Sequence, residues 1–210
     1  GRLVGRLAFG SQRVFGRVGR AALRPLYRHQ KEKHARRMTG RLRSSLRWWR
    51  RYLESGPVRR VGQRDEEEVP AWVLYTDAEG DGGVGAVLVC TQTGSMWHVA
   101  DSLPRDLEDV YELLAVRMAL STFGPWLGGC RVVAFVDNTA ALSMLVNGWS
   151  RATDANEFAA DCWHLMAGLG VDVHFEWVPS KSNLADGPSR GELSLLRKLR
   201  SWREAAVWTV

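Results

Sequence analysis

Residues 71–203 predict a mixed α/β domain: a five-stranded mixed sheet, three antiparallel strands then two parallel ones, with helices on both faces. Three observations carry that expectation. Short apolar runs separated by glycine-rich or polar turns come first. Longer apolar segments then alternate with further short runs, as helices alternate with strands. The charge of the chain also changes sign near residue 65, which sets this domain apart from a basic and mostly helical N-terminal extension.

The extension, 1–64, holds 19 Lys or Arg, 17 of them Arg, against Glu32 and Glu54. Residues 65–210 hold 10 basic and 21 acidic residues, so the net charge of +6 conceals a basic arm joined to an acidic domain. Arginine forks match phosphate oxygens bidentately, which makes nucleic acid the expected partner; a solvated tail is the plainer alternative. Within the arm, 11–36 places Val14, Val18, Ala21, Ala22 and Leu26 at loosely helical spacing, interrupted by Gly16, Gly19 and Pro25. The stretch 44–53 (SSLRWWRRYL) is a clearer helix, with Leu46, Trp49 and Leu53 on one face and Arg47, Arg50 and Arg51 around it as candidate substrate contacts. Trp48 and Trp49 could stack on bases, although aromatics at helical spacing more often face a core. The stretch 56–70 (GPVRRVGQRDEEEVP) reads as a linker, with 65–70 its acidic part.

In the domain, 71–76, 83–90 and 95–100 form the antiparallel meander. A helix over 105–123 follows Pro104, then a strand over 131–137, helices over 139–146 and 154–169, and a strand over 171–178. A closing helix over 184–202 is interrupted by Gly187, Pro188 and Gly191. Cys90, Cys130 and Cys162 form no CxxC pair, so neither a zinc knuckle nor a disulfide framework is expected and an intracellular setting, cytoplasm or nucleus, fits. Neither a secretory signal nor a run of roughly 20 apolar residues is present, so no membrane partner is expected.

The stretch LYTDAEGDGGVGAVL, 74–88, sets Asp77, Glu79 and Asp81 into an apolar run, where a buried acid costs several kcal/mol unless something compensates it. A calcium loop would need an acid at position 88, which is Leu, and the GxGxxG match is followed by a strand rather than a helix. The glycines read as a tight turn between antiparallel strands. Three more acids interrupt apolar elements. Glu112 lies in VYELLAVRMAL with Ala115, Val116 and Ala119 on its face; Asp137 ends RVVAFVD, where capping the next helix is the alternative role; Asp186 sits in WVPSKSNLADGPSR, where it could be a cap or turn residue.

Together YTDAEGDGGVGAVL, YELLAV, VDNTAAL and WVPSKSNLADGPSR resemble, in order, the motifs of the ribonuclease H domain of retroelement reverse transcriptases, most closely those of retrotransposon and DIRS-like elements, over about 70–190. GRLRSSLRWWRRYL is similar, more loosely, to the thumb-to-connection region that precedes such domains, and no polymerase YxDD motif is present. The resemblance implies a ribonuclease H-like fold over 71–203, an arm that is a remnant of thumb and connection, and a missing polymerase part as partner. It implies that Asp77, Glu112, Asp137 and Asp186 are catalytic and hold two Mg²⁺ ions, with Mn²⁺ possible, and that RNA/DNA hybrid is the substrate. Asn138, Lys181 and Asn183 are implied as substrate contacts. The histidine that cellular relatives carry before the last aspartate is missing, and His174 is expected to pack within its strand. Glu79 and Asp81 fall where the family usually has small or polar residues, which leaves two roles open for them: tuning metal affinity, or facing solvent as part of the turn. A non-catalytic nucleic-acid-binding or connection module that kept the fold is the alternative. A transposase or integrase, whose acidic set ends in a helix glutamate, ranks last.

Overall fold

The structure is a computed structural model that describes residues 2–13, 17–31, 37–56, 71–104, 107 and 110–208. The acidic linker expected at 65–70, and residues 105, 106, 108 and 109 of the helix expected from 105, lie outside those residues.

The three meander strands are β1 (Trp72–Ala78), β2 (Gly83–Cys90) and β3 (Met96–Ser102), each antiparallel to the next. On the other side of β1 come β4 (Arg131–Val136) and then β5 (Asp172–Trp177), both parallel, as the sequence predicts. A sixth, two-residue strand, β6 (Trp202–Arg203), pairs with β3 and gives the order β5-β4-β1-β2-β3-β6. The expected helix over 184–202 is therefore broken up. The chain forms α8 (Asp186–Ser189) and α9 (Ser194–Lys198), then turns into β6, with Gly191 (φ 75°) and Arg200 (φ 56°) in the left-handed region.

Strand alternation sorts side chains onto two faces. Leu74, Val84, Ala86, Leu88, Val99, Val132, Ala134 and Val136 form the core face, covered by α4 (Tyr111–Thr122) and α6 (Thr139–Asn147), on which α7 (Thr153–Leu169) packs. α4 is apolar almost all round because it lies between the sheet and α7: Leu113, Val116, Met118 and Leu120 are each at most 1% exposed, and each contributes about 1.5–3 kcal/mol of burial. The other face carries the stacked Tyr75–Phe135 pair and the short helix α8. The short α5 (Gly124–Leu127) links α4 to β4.

The arm is a docked helical unit rather than a tail. α1 (Arg2–Arg13), α2 (Arg20–Lys31) and α3 (Gly40–Ser55) share a core of Val4, Leu7, Val18, Leu23, Leu26, Leu42, Trp49 and Tyr52, against which Trp163 and Ala167 of α7 pack. Thr39 caps α3 by accepting from the Leu42 N–H, and the buried face is Leu42, Ser45, Trp49 and Tyr52. Leu53, expected on that face, is 58% exposed, because Tyr52 takes the inward position. Trp49 is core, 2% exposed, so base stacking is closed to it. Arg20 Nη1 donates to the Asn147 carbonyl at 3.0 Å, and Arg24 donates to the Ser150 carbonyl with its guanidinium 4.7 Å from the Trp149 ring. Both carbonyls accept positive charge at and just beyond the C-terminal end of α6, where carbonyls lack helical partners. Among the described residues no helix is long and apolar enough to cross a membrane.

Candidate active site

Parallel pairing of β1 with β4 ends on Thr76 opposite Val136, so the next residues, Asp77 near the end of β1 and Asp137 just past β4, come side by side. Glu112 arrives from the first turn of α4, which packs on β1 and β2. Carboxylate oxygens of Asp77, Glu112 and Asp137 lie within 4.8 Å of one another. A second trio, Asp77, Glu79 and Asp186, meets the same spacing, so the two groups share Asp77.

Asp186 reaches this point because α8 sits on bare backbone. Asp77 pairs with Gly85 across β1 and β2, and a Cβ on Gly85 would lie 2.5 Å from the Ser189 nitrogen and 2.8 Å from the Ala185 oxygen. A Cβ on Gly83 would strike the Ser189 carbonyl. These two glycines belong to β2 rather than to the turn; the turn uses Gly80 and Gly82, the latter at φ 101°. Asp81 belongs to the turn, accepting from the Gly83 N–H at 3.2 Å, whereas Glu79 faces the site, so the two acids divide between the two roles the sequence left open.

Asp77 is 4% exposed and held from two sides. The Ser189 hydroxyl donates to Oδ2, and Asn183 Nδ2 donates to the Thr76 carbonyl at 2.9 Å and reaches Oδ1 at 3.4 Å. Burial pushes Asp77 up to about 6; the Ser189 hydrogen bond opposes the rise, and the nearby Asp137 and Asp186 charges add to it. Burial likewise pushes Glu112 up to about 8, helped by Asp137, Asp77 and Glu79, and its Oε2 is buried with no hydrogen-bond partner among the described residues. Arg190 closes the outer side, with Nε 2.5 Å from Glu79 Oε1 and Nη2 2.9 Å from Asp186 Oδ1.

The remaining sequence-predicted residues divide. Asn138, not Asp137, caps α6, its Oδ1 accepting from the Ala140 and Ala141 N–H groups, so the capping alternative for Asp137 falls away. Asn183 is 6% exposed with its amide hydrogen-bonded beneath Asp77, an arrangement that positions a carboxylate. Lys181 is exposed on the turn before it, and Arg47, Arg50 and Arg51 are exposed on α3, with Arg50 3.0 Å from Glu54. His174 is not packed: its side chain is 73% exposed, 3.4 Å from Glu176.

Sequence reasoning missed Ser189 and Arg190 and left the role of Glu79 open. The signals were present: Glu79 is two residues after Asp77 and shares its strand face, and Ser189 and Arg190 follow Asp186 by one helical turn. The donors are all carboxylate oxygens, one is an orphaned buried atom, and the charges repel until compensated. That set fits a hard divalent cation.

The family described as DNA polymerase (viral) C-terminal domain matches residues 1–203, arm and sheet domain together. No curated protein matches the chain in sequence. The N-terminal ribonuclease H domain of a Mycobacterium tuberculosis protein superposes with a TM-score of 0.51 at 16% identity, covering 63% of this chain and 100% of that one. RNase H1 of the halophilic archaeon Halobacterium salinarum gives 0.49 at 20% identity, over 58% and 95%. The first of these likenesses shows the fold: this chain is ribonuclease H-like.

Proposed function

The chain belongs to the viral DNA polymerase C-terminal domain family, the reverse transcriptase and ribonuclease H region, and from that premise we propose that it is a divalent-metal-dependent endonuclease that cuts the RNA strand of RNA/DNA hybrids. The observation that carries this reading is the pair of carboxylate trios sharing Asp77. Asp77, Glu112 and Asp137 would hold one Mg²⁺ and Asp77, Glu79 and Asp186 the other. Such a pair, when bound, lowers the pKa of an attacking water and neutralises charge on the departing 3′ oxygen.

The chain's own residues do the rest. Ser189 and Asn183 fix both oxygens of Asp77, the one side chain common to both trios, so its orientation sets the distance between the two positions. Buried and repelled by its neighbours, Glu112 holds a proton at neutral pH, as Asp77 does below about pH 6, and a cation displaces these protons, which ties cation binding to proton release. Lys181 and the exposed Arg47, Arg50 and Arg51 are proposed contacts for backbone phosphates, as is the exposed Asn138 beside Asp137. Preference for hybrid would follow from 2′-hydroxyl contacts and duplex shape rather than from base sequence. The polymerase part of the same polyprotein is the proposed partner.

The test is a substrate panel in Mg²⁺: RNA/DNA hybrid, double-stranded RNA, double-stranded DNA and single-stranded RNA. Cleavage of the hybrid alone supports the reading. Binding of hybrid without cleavage in Mg²⁺ or Mn²⁺ would instead favour the non-catalytic module.

A further inference from the structure

Arg190 stands among the acids of the second trio. Its Nε and Nη2 point to different carboxylates, Glu79 at 2.5 Å and Asp186 at 2.9 Å, so one planar fork ties the end of β1 to the start of α8. Both acids are about one-third exposed and the arginine about half, so the link is open to water and exchangeable. Among the described residues the first trio has no such cation: Asp77 is held by Ser189 and Asn183, which are neutral, and Glu112 Oε2 has no hydrogen-bond partner.

We propose that Arg190 is a built-in competitor for the second cation, holding Glu79 and Asp186 together while the position is empty and withdrawing from them when a divalent ion binds among Asp77, Glu79 and Asp186. This rests on the metal-dependent reading of the site. Two unequal cation positions follow. The Asp77–Glu112–Asp137 position fills first. The second fills only at higher concentration, because the ion must displace a guanidinium from the oxygens it needs and sits beside its charge. Arg190 is here a positioning residue that acts through Glu79 and Asp186.

The experiment uses the full chain and Mn²⁺, with free ion followed by electron paramagnetic resonance, for the unaltered protein, Arg190→Gln and Asp77→Asn. Two binding classes are expected in the unaltered protein. Arg190→Gln should tighten the weaker class by about two- to fivefold, the scale at which an exposed ion pair couples its members, and leave the tighter class in place. A weaker class that is unchanged or loosened in Arg190→Gln overturns the competition and leaves Arg190 as scaffolding. Absence of Mn²⁺ binding in the unaltered protein, or binding undiminished in Asp77→Asn, overturns the metal-dependent reading itself. A second measurement needs no substitution: the ¹⁵N resonance of the Arg190 Nε–H, followed through a Mg²⁺ titration, should move in the second binding step and stay still in the first. A resonance that never moves, or moves with the first ion, contradicts the proposal.

Discussion

Replacing Glu112 with Gln should stabilise the metal-free protein, although it removes a residue from the centre of the proposed site. Burial and the Asp137, Asp77 and Glu79 charges raise Glu112 from its ordinary value of 4.5 to about 8. Because the folded value is the higher one, the native state binds more protons between those two pH values than the unfolded chain does. Stability is therefore greatest below the ordinary value and falls as pH rises towards about 8. At roughly 1.4 kcal/mol per pH unit, keeping Glu112 in place at pH 7 costs about 3 kcal/mol. An amide carries no such penalty, but its buried donors lack partners, which returns about 1 kcal/mol. The net expectation at pH 7 is a gain of about 2 kcal/mol for Glu112→Gln. Urea unfolding in EDTA at intervals from pH 5 to pH 9 checks this. Between pH 6 and pH 8 the slope in the unaltered protein should come mainly from Glu112, since Asp77 titrates by about 6. That slope should vanish in the variant. Adding Mg²⁺ should reverse the order of stability, because the cation compensates the charge that the amide lacks. A variant less stable than the parent in EDTA at pH 8, or a parent whose stability is flat from pH 6 to pH 8, would refute the reasoning.

Three further outcomes follow from the same geometry. Ser189→Ala removes the hydrogen bond that opposes the rise of Asp77, so the acid limb of the cleavage pH profile should move to higher pH; a rate loss with an unmoved limb contradicts the role given to Ser189. Gly85→Ala puts a Cβ 2.5 Å from the Ser189 nitrogen, so α8 must shift; a loss of about 1–3 kcal/mol in stability together with loss of cleavage is expected, and normal activity would show that α8 does not seat there. Replacing Arg47, Arg50 and Arg51 together by Gln should weaken hybrid binding and flatten its salt dependence, by nearly one in log–log slope for each phosphate these arginines neutralise. An unchanged slope in a binding titration would place the nucleic acid elsewhere.

How much of this was legible before the structure depended on whether a feature is local in the chain. The strands and the acids inside them were legible because apolar runs broken by single carboxylates stand out, and the parallel placement of β1 and β4 then puts Asp77 beside Asp137 without further information. The closing segment was not: Gly187, Pro188 and Gly191 signalled interruption, but that the chain would return to the sheet as β6 depends on pairing with β3, more than a hundred residues away. The arm's arginines looked interchangeable in sequence, yet Arg20 and Arg24 are bound to carbonyls at and beyond the end of α6, an arrangement that charge counting cannot separate from solvent exposure. Glu79 and Asp81 differ by one strand step and one turn, and only strand alternation carried past Ala78 would have assigned the first to the site. Asn183 stood next to the exposed Lys181 and seemed to share its role, whereas the turn over Ser180–Ser182 sends its amide inward beneath Asp77.

The most direct test of the two-trio site is the Mg²⁺ dependence of cleavage of an end-labelled RNA/DNA hybrid by the unaltered chain and by Asp77→Asn, since Asp77 belongs to both trios. Cleavage of the RNA strand that requires Mg²⁺, stops in EDTA and is abolished in a folded Asp77→Asn protein is the expected result. Cleavage that survives in Asp77→Asn, or that proceeds in EDTA, would contradict a cation site built on Asp77.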